Sequence, residues 1–324
     1  MFPCRCSLQP AVIALTGGLF PCARPFSPTS LGGKNSLLGE NLSPSVQACL
    51  EQALYLAGKD AKQGKGLGIP LVLSAPGEEK VFSVPAVVYL AGEASSTFDV
   101  ARKLLEADAL PAWGAVLAAS QTEGRGQFRR SWHSPPGNLY VTFRLPEEIR
   151  RKGGAASVCV GYLLAAALRR LGFPLLLKWP NDLLSEEQSK VGGILLEERE
   201  GALLAGLGLN LVEAPLCGQM RSESAILAGI LSKAPPPFFL WRSLVEAVIV
   251  EYTQSIARRG LSEIMEDFAP FLAWINSPVT VTDGDNVRIA GLHAGIGPEG
   301  ELLLRLETGE IRSVCSGSLF PGAA

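Results

Sequence analysis

Residues 121–140 read QTEGRGQFRRSWHSPPGNLY, and the rest of the chain is best understood outward from them. The stretch follows 114–120 (GAVLAAS), an apolar run with the composition of a buried strand. It leads into 138–145 (NLYVTFRL), whose alternation is that of a second strand. Between the two, Arg125, Arg129 and Arg130 stand beside Gly124 and Gly126. Glycine lets backbone N–H groups come close to an anion, and arginine adds charge and a planar fork of donors. Phe128 and Trp132 can close over a flat ligand, and Ser134-Pro135-Pro136-Gly137 turns the chain into the next strand. These residues alone describe either a mobile anion-binding loop or a solvated basic loop. Gly-x-Gly by itself is a weak signal, and no helix of the dinucleotide-binding kind follows it.

On either side the apolar pattern predicts regular structure. Upstream, 86–91 (AVVYLA) reads as a buried strand. Residues 97–107 read as a helix, with Val100, Leu104 and Leu105 on one face and Arg102, Lys103 and Glu106 on the other. Downstream, 155–171 is a long apolar helix closed by Arg169, Arg170 and Gly172. Three strands are predicted at 175–179, 191–197 and 203–211, then two helices at 235–259 and 261–275 separated at Gly260. Beyond Asn276, short strands at 279–282, 286–292, 302–306 and 311–316 alternate with glycine-bearing turns, which predicts a small β-barrel. Strands and helices come in mixed order, so the fold class expected is α+β. Residues 1–80 are rich in Pro, Gly and Ser, with one helix predicted at 44–59 after Ser43. The expected domains are a poorly ordered extension at 1–80, a catalytic domain at 81–275 and the barrel at 276–324.

Composition removes several function classes. The 324 residues carry 29 Lys and Arg against 31 Asp and Glu, a net charge of −2, which gives no electrostatic support to a nucleic-acid partner. No apolar run reaches the ~18–20 residues a membrane helix needs, and the run at 11–20 is interrupted by Thr16, Gly17 and Gly18. Seven scattered cysteines without a Cys-x-x-Cys pair argue against a disulfide framework or a zinc ribbon. With only His133 and His293, the chemistry is not expected to run on histidine. A cytoplasmic protein is expected.

Three further segments carry functional groups. Lys178-Trp179-Pro180-Asn181-Asp182-Leu183-Leu184 puts a cation, an amide and a carboxylate within one turn. That suits a phosphate and its metal, or equally an Asn-Asp turn with a surface lysine. In Lys190-Val191-Gly192-Gly193-Ile194-Leu195-Leu196-Glu197, a lysine directly before a buried strand can project into a cleft, beside glycines that allow close approach. In Gly206-Leu207-Gly208-Leu209-Asn210-Leu211, two glycines weaken a strand unless a backbone or ligand must pack there, and Asn210 is a lone amide in an apolar run.

Taken in this order, GRGQFRRSWHSPPGNLY, KWPNDLL, KVGGILLE and GLGLNL resemble the motifs of the biotin protein ligase family, over about residues 86–322. The resemblance implies a catalytic domain like the class II aminoacyl-tRNA synthetase cores, with an SH3-like C-terminal barrel. It implies a reaction in which biotin and ATP, with Mg²⁺, give biotinyl-5′-AMP and pyrophosphate. The biotinyl group then passes to a lysine of a biotin carboxyl carrier protein. Carried over by position, Ser96, Thr97 and Gln121 would contact the biotin ring. Gly124, Arg125, Gly126 and Gln127 belong to the loop that holds biotin and the acyl phosphate. Lys190, beside Gly192, would contact the biotin carboxyl and phosphate, and Lys190 and Arg125 are the expected catalytic pair. Trp132, Lys178, Asn181, Asp182 and Asn210 would face the nucleotide, with Asp182 a weak Mg²⁺ ligand. A homodimer is left open.

This chain departs from the family pattern at three positions. Phe98 stands for an Asn after Ser-Thr, Gln127 for a loop Arg that helps retain the adenylate, and Arg129 for a frequent Gly. An N-terminal DNA-binding domain is not evident, so ligase activity without repression is expected. The alternatives are a lipoate or octanoate ligase of the same fold, and a non-catalytic biotin- or carrier-binding module.

Overall fold

The computed structural model describes residues 12–14, 69–71, 87–215, 229–283 and 287–322. In chain order the elements are β1 (Val12–Ala14), β2 (Ile69–Leu71), β3 (Val88–Ala94), α1 (Thr97–Glu106), β4 (Ala115–Gln121) and β5 (Leu139–Arg144). Next come α2 (Glu147–Arg150), α3 (Ala156–Arg170), β6 (Leu176–Lys178), β7 (Asp182–Leu184), β8 (Lys190–Arg199) and β9 (Ala202–Leu209). The chain continues with α4 (Pro237–Gln254), α5 (Leu261–Phe268), β10 (Pro278–Asp283), β11 (Val287–Ile296), β12 (Leu302–Arg305), β13 (Ile311–Val314) and β14 (Ser318–Pro321). The α+β class expected from the element order is the one observed. The helix expected at 44–59 lies outside the described residues.

The chain divides into two compact units. One comprises 1–145, 197–213 and 233–246, the other 146–196, 214–232 and 247–324. In the first unit β3 and β4 run parallel, and β5 and β9 continue the sheet antiparallel. β1, from the apolar stretch near the start, lies parallel to β3, with β2 antiparallel beside it. Parallel strands covered on both faces need continuous apolar runs, which is why 86–91 and 114–120 read as they do. Leu90, Ala91, Val116 and Leu117 are fully buried. Helix α1 is capped by Ser96, whose Oγ accepts from the Phe98 N–H at 3.3 Å. Its buried Val100, Ala101 and Leu104 face β4, β5 and β9. Phe143 joins the other end of this core to Trp241 of α4, their ring centroids 5.0 Å apart.

In the second unit α3 is buried along almost its whole length and packs on β6 and β7. Strands β6, β7 and β8 form an antiparallel ladder. The C-terminal strands form a separate five-stranded antiparallel sheet in the order β13-β12-β11-β10-β14, compatible with the SH3-like barrel expected. Four strands escaped the sequence reading, β1 and β2 in the segment read as a poorly ordered extension, and β7 and β14 in this unit. β7 lies within the segment read as a turn cluster, and β14 is only four residues long. The last predicted helix stops at Phe268 rather than 275, because Pro270 has no N–H to continue the helical ladder.

Three contacts fasten this sheet to the ladder within the unit. Trp179, 2% exposed, donates its Nε1–H to the Gly300 carbonyl at 2.9 Å. Gly300 sits at φ +84°, and a Cβ there would come within 2.7 Å of Ala155 Cα, so only glycine fits. Ala273 N–H donates to the Leu177 carbonyl at 2.9 Å, and the Ala273 carbonyl in turn accepts from Nδ1 of the fully buried His293 at 3.0 Å.

His293 Nε2 is buried with no hydrogen-bond partner among the described residues. Burial holds its pKa below the ordinary histidine value, against the raising effect of the Ala273 and Trp274 backbone. The unfolded chain therefore takes up a proton near pH ~6.5 while the folded chain does not. The stability this site contributes is complete above that pH. It falls as the pH drops below it, levelling off at the lower folded pKa. His293→Gln is expected to flatten the loss of thermal stability between pH 7.5 and 5. Equal losses in variant and parent would contradict the assignment.

Candidate active site

The first unit supplies the glycine-arginine loop and the helix terminus beside it. Gln121 ends β4, and its Oε1 accepts from Thr97 N–H at 2.9 Å and from Thr97 Oγ1 at 3.2 Å. Its Nε2 donates to Ser134 Oγ at 3.0 Å. One amide thus ties the start of α1 to the far end of the loop. Thr97 Oγ1 also meets Thr142 Oγ1 of β5 at 2.8 Å. Ser96 and Thr97 are both buried. Of the residues expected at a biotin ring, Ser96 and Thr97 start α1 side by side, and Thr97 is hydrogen-bonded to Gln121.

The loop closes on itself. Trp132 N–H donates to the Gly124 carbonyl and Gly126 N–H to the Arg130 carbonyl, both at 2.8 Å. A Cβ at Gly124 would meet Trp132 O and Ser134 Oγ at 2.5 Å, so this glycine is required by the fold of the loop. Gly126, in contrast, has ordinary space around it. The sequence reading gave both glycines to an anion. In this structure the Gly126 N–H donates inside the loop, to the Arg130 carbonyl. Gln127 opens a short turn at whose centre Phe128 adopts φ 55°, ψ 34°, with its side chain 67% exposed. That is a left-handed conformation unusual for an aromatic residue.

Two aromatic rings rest on β9. A Cβ at Gly208 would lie 2.6 Å from Trp132 Nε1, and one at Gly206 would lie 2.4 Å from the Phe98 ring. The two glycines of GLGLN therefore admit the protein's own rings onto one face of the strand. Phe98, the departure from the family's Asn, is 6% exposed and fills that space. Asn210, at the end of β9, is buried. Asn138 was missed by the sequence reading. It is fully buried, and its Oδ1 accepts from the N–H groups of Leu211, Val212 and Glu213, at 2.8, 2.9 and 3.2 Å. Its Nδ2 donates to the Glu213 carbonyl at 2.7 Å. It thereby fixes the segment after Asn210. Its signal was an amide directly after the Pro-Pro-Gly turn, but its partners lie 73 to 75 residues away.

Within the second unit itself, two lysines gather on one carboxylate. The Asp182 carboxylate is buried between Lys178 Nζ, 2.7 Å from Oδ2, and Lys190 Nζ, 2.5 Å from Oδ1. Burial pushes the Asp182 carboxyl up, but Lys190 and Lys178 outweigh it and hold the group below the usual carboxylate range. Lys178 is almost enclosed, and its ammonium lies 5.5 Å from the centroid of the Phe320 ring. Lys190 is more open, with 30% of its side chain exposed. Asn181 Nδ2 donates to the Ile194 carbonyl at 2.7 Å, and Ile194 N–H returns a bond to the Asn181 carbonyl at 2.9 Å. Gly192 pairs with Leu183 in the ladder.

These contacts bear on two expectations. Asp182 does not fit a protein-held Mg²⁺ ion, because each of its oxygens already faces an ammonium group. Among the described residues, no group of three or more His, Cys, Asp or Glu side chains could hold a metal. Lys178 and Asn181, expected at the nucleotide, are engaged inside the fold. Lys178 neutralises Asp182, and Asn181 clamps β8. Neither histidine lies in these clusters. His133 is exposed and 2.9 Å from Glu213 Oε1, and His293 is in the C-terminal sheet.

Comparison with known proteins agrees with the geometry. Residues 92–211 match the model of the biotin/lipoate A/B protein ligase family. The bifunctional ligase/repressor BirA of Bacillus subtilis is 28% identical over 249 residues, covering 70% of this chain and 72% of that protein. A biotin–acetyl-CoA-carboxylase ligase of Mycobacterium tuberculosis is 27% identical over 206 residues, 59% of this chain and 73% of that protein. The biotin protein ligase of Aquifex aeolicus in complex with biotin and ATP shares the fold. Its TM-score is 0.58 over 72% of this chain and 99% of that one, at 22% identity. The chain thus carries a domain of the biotin/lipoate A/B protein ligase family and is homologous to the biotin protein ligases.

Proposed function

We propose that the protein is an ATP-dependent biotin ligase. A carboxylate oxygen of biotin attacks the α-phosphorus of ATP, and the bond to the β-phosphate oxygen breaks, giving biotinyl-5′-AMP and pyrophosphate. The amine of a lysine on a biotin carboxyl carrier protein then attacks the acyl carbon. The amide forms, the amine loses a proton and AMP leaves with the carboxyl oxygen. The single observation that carries this reading is Lys190, an ammonium fixed by a buried carboxylate and still partly open.

Adenylation builds charge on phosphate oxygens and needs no covalent enzyme nucleophile, so preorganised cations and donors supply most of the catalysis. Lys190 meets the biotin carboxylate and the α-phosphate, and Asp182 keeps its ammonium in place. Arg125 binds the phosphate from the loop. Ser96, Thr97 and Gln121 hold the ring end of biotin, with Gly124, Gly126 and Gln127 as the backbone around it and Gly192 two residues after Lys190 in β8. Trp132 and Asn210 face the adenine side. Mg²⁺ enters with ATP as part of the substrate, and no step is assigned to a protein-held metal. Closure of the loop would keep water from the acyl-adenylate.

Cytoplasmic residence belongs to the same proposal. The described cysteines, Cys159 and Cys315, are free thiols, with Cys159 pushed up by burial to about 12. No helix of the described residues is long and apolar enough to cross a membrane.

The test is biotin-dependent exchange of labelled pyrophosphate into ATP, followed by transfer to a carrier domain read as a biotinylated lysine. Both are expected. Exchange with lipoate or octanoate in place of biotin would move the assignment to an acyl ligase of the same fold. Biotin binding without exchange would leave a binding module.

A further inference from the structure

Arg125 is already held by two carboxylates, and the two grips differ in kind. Asp99, in the first turn of α1, accepts a hydrogen-bonded ion pair from Arg125 Nη2. Its other oxygen accepts from Ser95 Oγ at 2.7 Å, and its side chain is only 17% exposed. An acidic group in the first turn of a helix is also favoured by the unpaired N–H groups there. The root of the loop is stitched to the same place. Thr122 N–H donates to the Ala94 carbonyl at 2.9 Å, and Glu123 N–H donates to the Ser95 carbonyl at 2.8 Å. Asp99 is therefore a fixed anchor.

Glu197, in β8, is different. Its Oε1 stands 3.9 Å from Arg125 Nη1, too far for a hydrogen bond, so the contact is a charge attraction only. Its Oε2 is 2.9 Å from Arg199 Nη2. Glu197 thus has a second cation that keeps it neutralised if Arg125 leaves.

We propose that Asp99 is a positioning residue, the pivot that holds Arg125, and that Glu197 is a placeholder which an anionic phosphate displaces from the free edge of the guanidinium. This rests on the reading that Arg125 meets the nucleotide phosphate. Arginine presents five N–H donors in a fixed plane, so one edge stays on Asp99 while the other changes partner. A phosphate oxygen at hydrogen-bond distance outcompetes a carboxylate at 3.9 Å, and Arg199 retains Glu197 afterwards. The two acids then act with opposite signs. One makes Arg125 effective, and the other competes with its ligand.

The experiment compares the full chain with its Asp99→Asn, Asp99→Glu and Glu197→Gln variants. Pyrophosphate exchange is measured at saturating biotin with ATP varied. Asp99→Asn is expected to lower kcat about 10–100-fold, the cost of misplacing a catalytic group, with part restored in Asp99→Glu. Glu197→Gln is expected to lower KM for ATP about threefold, the factor that a weak, partly exposed ion pair commands. A change of KM in the same direction in Asp99→Asn and Glu197→Gln, or an Asp99→Asn variant with unaltered kcat, would overturn the proposal. Helix fraying alone would not produce opposite signs.

A second readout does not depend on activity. Trypsin cleavage of the Arg125–Gly126 bond in the ligand-free protein is followed by mass spectrometry. Asp99→Asn should accelerate cleavage and Glu197→Gln should not. Equal cleavage in Asp99→Asn and parent overturns the pivot. If the parent shows no biotin-dependent exchange, the ligase reading fails, and the cleavage comparison still decides whether Asp99 holds Arg125.

Discussion

Lys190→Ala is expected to abolish measurable pyrophosphate exchange, a loss of about 10²–10³-fold or more, the range for removal of one preorganised charge-stabilising donor. The same change should lower stability. Asp182 is buried with a lysine on each oxygen, and loss of Lys190 leaves it half-compensated. A buried charged group short of one partner costs about 1–3 kcal/mol, so thermal unfolding should shift down while remaining cooperative. Lys190→Arg separates the two effects. Its charge should restore most of the stability, whereas its broad planar fork cannot reproduce a compact ammonium, so exchange should stay low. Normal biotin-dependent exchange in Lys190→Ala would remove Lys190 from the mechanism.

Asp182→Ala is expected to be the most destabilising single change in the second unit. It leaves the Lys178 ammonium, with 9% of its side chain exposed, without its carboxylate. Breaking a buried pair in this way costs about 3–5 kcal/mol. That is a large share of the ~5–15 kcal/mol by which a typical domain is stable. Urea denaturation of the variant gives the value directly. Adding Lys178→Met should recover most of the stability, because an apolar side chain of similar length no longer requires a counter-charge. Exchange should not recover, since Lys190 would still lack the group that orients it. A single variant as stable as the parent would show that the carboxylate is dispensable to the fold.

The Asp182 pairing also explains how the KWPND segment was legible only in part. Its residue types announced a cation, an amide and a carboxylate close together, and they are close together. The sequence left two readings open, a phosphate-and-metal cluster or an Asn-Asp turn with a surface lysine. In the folded chain β6 and β7 pair antiparallel, with Lys178 opposite Asp182, which turns the first charge onto the third inside the protein. The amide faces β8, and the tryptophan between them, unremarked in the sequence, anchors the C-terminal sheet at Gly300. A three-residue strand such as β7 is too short to show periodicity, so nothing local announced the hairpin.

The loop was legible for the opposite reason. Glycine, arginine, aromatic and Pro-Pro-Gly signals are local, and the loop closes through contacts among its own residues, Gly124 with Trp132 and Gly126 with Arg130. The glycines of GLGLN were read as positions where a backbone or ligand must pack, and the structure puts side-chain rings there instead. That the packing groups are Phe98 and Trp132 depends on a helix and a loop about 76 to 108 positions earlier reaching the same strand face.

From sequence alone came the order and type of most elements, the α+β class and the barrel-like end. Each of these is written in hydrophobic periodicity or turn chemistry within a window of about 11–18 residues. What only the tertiary structure decided is which group restrains each cation. Arg125 meets Asp99 across 26 positions, and Lys190 meets Asp182 across the β7–β8 ladder, while Asn138 fixes a segment 73 or more positions away. Such pairings follow from strand register and from which faces are buried against which. No short window of sequence records them, because the same residues in another register would face different partners.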